Sequence, residues 1–113
     1  MAALILLDDK VILKDVSIAN NFWSRLSGYM FRKYPHVPGI LFLSSGSMQT
    51  SFMRFNLDII FLNEKNVVIE ILKNVKPWRF TKIYSKVSKV LEVPAESLPS
   101  DLKKGSVLQI VST

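Results

Sequence analysis

Two carboxylates in this chain stand where carboxylates are expensive. Asp58 lies inside SFMRFNLDIIFL, residues 51 to 62, where every neighbour from Leu57 to Leu62 is apolar, and Glu92 lies inside SKVLEV. A charge buried in such surroundings needs a cation or several hydrogen-bond donors beside it. If LDIIFL is a strand, alternation puts Asp58, Ile60 and Leu62 on one face and Leu57, Ile59 and Phe61 on the other. Glu92 shares its face with Val90. The candidate partners are Arg25 and Arg54, whose guanidinium groups can hold a carboxylate through two bonds at once. Such a set can do three things. It can be an ion pair that fixes one element against another, the reading ranked first. It can line a ligand site with Trp78 at its edge. Or Asp58 and Glu92 can act as the acid and base of a hydrolase. No nucleophile supports the last, because the serines of SSGS lack a hydrolase signature.

A second constellation lies between residues 71 and 91, where there is no acid at all. Lys73, Lys76, Arg79, Lys82, Lys86 and Lys89 are interleaved there with Trp78, Phe80 and Tyr84. Cations track phosphates and aromatic rings stack on bases, so this is the composition of a surface for single-stranded nucleic acid. The plainer reading is a solvated face, with lysines guarding a strand edge.

Composition removes other chemistries. The 113 residues contain no cysteine and a single histidine, His36, so thiol nucleophiles, disulfides and multi-histidine zinc sites are out of reach. No metal and no cofactor is expected, and His36 reads as a solvated loop residue. The apolar run at the N-terminus is six residues long and is followed by two aspartates, too short for a membrane span and wrongly flanked for a signal peptide. A cytoplasmic chain without membrane contact is the expectation. The formal charge of +6 favours anionic partners without naming one.

The elements that must position these residues follow from periodicity. ALILL and VILKDV read as a hairpin across a charged turn. From Ser17, Ile18, Phe22, Leu26 and Tyr29 or Met30 recur every three to four residues, which predicts one helix carrying Arg25, capped by Asp15 or Ser17 and ending near Gly28. KYPHVPG is a loop, ILFL a short strand, LDIIFL and VVIEIL a hairpin across NEKN, SKVLEV a further strand, and SVLQIV the last one, after a segment with room for one helical turn.

The ordered blocks Arg25, Gly28 and Met30; Met53; Leu57, Asp58 and Phe61; Pro77 and Trp78; Val90, Leu91 and Glu92; and Gly105 resemble the Domain of Unknown Function 192 family, over about residues 19 to 111. The resemblance implies a compact β-rich domain with a helix, and no established activity. Many relatives carry a His-Thr pair before the methionine, where this chain has Gln49 and Thr50, so no histidine base carries over. Relatives usually have proline at Asn56.

The expected molecule is a single α+β domain over residues 1 to 113, mostly antiparallel and barrel-like, with one main helix across the sheet. Its expected function is that of a small, non-enzymatic binding or accessory module with Arg25, Arg54, Asp58 and Glu92 beside a Trp78-edged pocket. Nucleic-acid binding through Lys76, Arg79, Lys82, Lys86 and Lys89 is the alternative, and a hydrolase using Asp58 and Glu92 the second. The expected partner is a small molecule or protein, with nucleic acid the alternative, and the expected state a monomer or weak dimer.

Overall fold

Seven strands form one sheet in the computed structural model, which describes residues 2–19, 33–43, 54–82 and 84–113. Strand β1 spans Ala2–Leu7 and β2 spans Lys10–Ala19, joined by Asp8 and Asp9 with φ of 51° and 65°. Two successive left-handed residues make the tight turn whose twist suits a hairpin, and aspartate tolerates that conformation better than most residues. Gln109 ties the turn down, accepting from the Asp9 amide at 3.1 Å and donating to its carboxylate at 3.0 Å. Strand β3, Ile40–Phe42, runs parallel to the end of β2, and β4 (Leu57–Leu62), β5 (Val68–Val75), β6 (Lys89–Pro94) and β7 (Leu108–Ser112) complete the set.

The spatial order is β5-β4-β6-β3-β2-β1-β7, and every neighbouring pair except β2 with β3 is antiparallel. The two outer strands meet at one end. Val67 bridges Val107, and the Val68 and Leu108 amides donate to the Ser106 and Asn66 carbonyls at 2.8 and 3.0 Å. The sheet therefore curls towards closure, which removes part of two edges that would otherwise stay unpaired.

Curling gives the sheet two apolar faces. All seven strands contribute to the inner cluster, including Ile5, Leu13, Leu41, Ile60, Val68, Leu91 and Leu108. A second cluster on the outer face joins Ala19, Ile40, Phe42, Leu57, Ile59, Phe61 and Val90, with Tyr84 packed on Phe61 at a ring separation of 4.7 Å. Strand β4 is buried along its whole length because both faces are covered.

The expected α+β class with a main helix across the sheet is overturned. Among the described residues there is no helix, and Ser17, Ile18 and Ala19, where the helix was to begin, extend β2 and pair with Ile40, Leu41 and Phe42. The β-branched run of Val11, Ile12, Val16 and Ile18 favours extension, and a strand partner outweighs a weak helical period. The rest of that expected helix, Arg25 included, lies outside the described residues, as do the SSGS turn and Met53. The strands and the barrel-like curl agree with expectation. No helix among the described residues is long and apolar enough to cross a membrane.

Candidate functional site

Asp58 is 3% exposed, yet its carboxylate is bonded in a way the sequence does not advertise. One oxygen accepts the Asn74 amide at 2.9 Å and the other the Glu96 amide at 3.2 Å. Both donors sit in the left-handed region, with φ of 53° and 68°. Asn74 belongs to a bulge in β5, where the pairing shifts between Leu57–Val75 and Ile59–Leu72, and Glu96 belongs to the turn after β6. A bulge leaves its extra residue outside the regular ladder, so its N–H must find another acceptor. Asp58 is that acceptor, and a charged one makes the stronger bond.

Arg54, expected beside Asp58, is exposed, and the ion pair found among the described residues joins Lys104 to Glu70 at 3.0 Å instead. That contact, with the Ile71 amide as a second donor, holds the Glu70 carboxyl below its ordinary value.

Glu92 occupies the other face. In the β4–β6 register Ile59 lies opposite Glu92 and Asp58 opposite Val93. Directly paired residues point the same way, so the two acids point to opposite sides of the sheet. The acid–base pair considered for a hydrolase does not form, and the expected cluster of Asp58 with Glu92 is corrected accordingly. Glu92 sits among Ile40, Ile59 and Val90, 1% exposed, with Oε2 lacking a hydrogen-bond partner among the described residues, and burial pushes its carboxyl up to about 8. It is a neutral acid at pH 7.

The basic arm leaves the sheet immediately after β5. Lys76, Arg79, Lys82 and Lys86 are exposed, whereas Lys89 is a half-buried member of β6 opposite Leu62. Trp78 is 56% exposed and Phe80 78%. Trp78 also has φ of 64°, a conformation that bulky residues avoid. Tyr84, the third aromatic of the segment, is turned inwards onto Phe61 and serves as an anchor. A separate shallow groove of about 530 Å³ lies among Leu13, Pro35, His36, Val37 and Pro94, and Trp78 does not line it.

Sequence reasoning singled out Asp58, Glu92 and Trp78 but not the Asp58 donors Asn74 and Glu96, since a backbone donor has no residue-type signature. The available signal was Asn74 itself, an asparagine near the end of a β-branched run, the residue type that tolerates a left-handed bulge.

Comparison with known proteins agrees with this architecture. The model of the Domain of Unknown Function 192 family, described as an uncharacterized ACR, matches residues 5–110. A UPF0127 protein of Pyrococcus furiosus is 39% identical over 77 residues, 63% of this chain and 64% of that protein, so the match spans less than two thirds of that relative's length. Two solved structures share the fold. A protein of unknown function from Novosphingobium aromaticivorans superposes with a TM-score of 0.78 at 18% identity, covering 96% of this chain and 84% of that one. A candidate transcription regulator from Sinorhizobium meliloti gives 0.74 at 21% identity, covering 96% and 91%.

Proposed function

The chain belongs to the Domain of Unknown Function 192 family, and from that premise we propose that it is a small non-catalytic binding domain whose working surface is the arm of residues 76 to 82 together with Lys86 and whose ligand is single-stranded nucleic acid. One observation carries the reading. Trp78 and Phe80 are two of the three aromatic side chains of an acid-free basic segment, and they stand 56% and 78% exposed where burial would have been favourable. Exposed rings flanked by Lys76, Arg79 and Lys82 offer the two things a single strand needs, flat faces for its bases and cations for its phosphates. The net charge of +6 adds a long-range attraction of the same sign. The name of the Sinorhizobium meliloti structure is in keeping with a nucleic-acid partner, although its 21% identity speaks for the fold alone.

The test is binding of a fluorescent oligothymidylate of about 12 nucleotides, a length within the usual site size. Four phosphate contacts, from Lys76, Arg79, Lys82 and Lys86, give a slope of about −3 in log K against log salt. Trp78→Ala weakens binding at least fivefold, the low end of about 1–3 kcal/mol for one stacked base. Equal binding of polyglutamate and oligonucleotide, with Trp78→Ala neutral, refutes the proposal. Retention on anionic vesicles in preference to the oligonucleotide refutes it too, and assigns the arm to a lipid surface.

A further inference from the structure

We propose that Asp58 is a positioning residue for the arm, acting on the ligand surface through the Asn74 amide without touching the ligand itself. The inference rests on the arm being that surface. Its basis is where the Asp58 bonds fall. Asn74 is the extra residue of the β5 bulge, one position before the strand ends at Val75 and four before Trp78. A bulge redirects the strand that contains it, so the conformation at Asn74 sets the direction in which Lys76, Pro77 and Trp78 leave the sheet. The 2.9 Å bond from the Asn74 amide to Asp58 fixes that conformation, which φ of 53° would otherwise make unfavourable for a residue with a side chain.

The second oxygen makes the reference rigid. It holds the Glu96 amide at 3.2 Å, and the adjacent Ala95 amide donates to the Asn56 carbonyl at 3.0 Å. The carboxylate is thus tied to the turn after β6 while it ties down the end of β5, and the start of the arm is located against β4 and β6 together. At 3% exposure Asp58 has no surface to offer a ligand.

The sign of the effect separates positioning from simple charge. An acid under a basic arm opposes a polyanion, so if Asp58 acted only through its charge, Asp58→Asn would tighten oligonucleotide binding. A positioning role requires the reverse, because an asparagine presents one acceptor oxygen to two amides and releases one of them.

The experiment measures oligothymidylate binding by wild type and Asp58→Asn, both in a Trp23→Phe background so that the emission reports Trp78. Asp58→Asn should bind about tenfold more weakly with less quenching of Trp78 and an unchanged salt slope, the pattern of lost stacking with intact phosphate contacts. Binding by Asp58→Asn equal to or tighter than wild type overturns the inference and leaves the nucleic-acid reading standing. Absence of binding by the wild type overturns both. Should Asp58→Asn fail to fold, amide exchange on the wild type decides. By reciprocal linkage, saturating oligonucleotide must slow exchange at Asn74 more than at Glu96, and an unchanged Asn74 rate overturns the inference.

Discussion

Glu92 makes the pH dependence of stability predictable. Its carboxyl titrates at about 8 in the folded chain against an ordinary value of 4.5, a raised value caused by burial. Between those values the folded state holds a proton that the unfolded state has released. Stability therefore falls as pH rises through this window, by about 1.4 kcal/mol per pH unit where the difference is complete, and levels off above about 8. Across the whole window the loss is about 5 kcal/mol, comparable with the entire stability of many small domains. Glu92→Gln removes the titration while keeping the shape. Urea melts of wild type and Glu92→Gln at pH 5.5 and 7.5 isolate this residue, since every other group is common to both. The wild type should lose about 2–3 kcal/mol relative to the variant over those two units. A difference that does not change with pH would show that the carboxyl is hydrated or paired, and the account of Glu92 as a dry, neutral acid would fail. Glu92→Met, which removes the unpartnered oxygen altogether, should be more stable than wild type at pH 8.

Gly39→Ala should cost about 1–3 kcal/mol in the same melts, because a Cβ there would lie 3.1 Å from Val93 Cγ1 and 3.3 Å from the Glu92 carbonyl oxygen, inside a packed core. Asp58→Asn should lose about 1.5–3 kcal/mol, the worth of a hydrogen bond to a charged group. Lys82→Glu with Lys86→Glu should leave stability within about 0.5 kcal/mol per site, since both side chains are exposed, and should abolish oligonucleotide retention; a large drop in melting temperature would show the arm to be packed. A chelator should leave the melting temperature unchanged, as the chain has no cysteine and no cluster of three metal-ligating side chains occurs among the described residues; a fall of several degrees contradicts this.

The sequence by itself determined the strands. Runs such as LDIIFL and KVLEVP have no other way to bury so many β-branched and aliphatic side chains, and alternation within them correctly divided Leu57, Ile59 and Phe61 from Asp58, Ile60 and Leu62. It also made Asp58 and Glu92 conspicuous, because a carboxylate in an apolar strand is a local fact. Beyond the β1–β2 and β4–β5 hairpins, what it left open was the relation between elements. Whether two acids on different strands share a face depends on register, and the pairing of Ile59 with Glu92 separates them by one residue, which is enough to reverse the side. Whether Ser17 to Ala19 begin a helix or extend a strand depends on a partner 23 positions away in the chain, at Ile40 to Phe42, so local periodicity misjudged it. The carboxylate of Asp58 accepts backbone amides, with Arg54 exposed, because the bulge at Asn74 and the turn at Glu96 bring N–H groups to it, and an amide becomes distinctive only when the fold leaves it without a ladder partner.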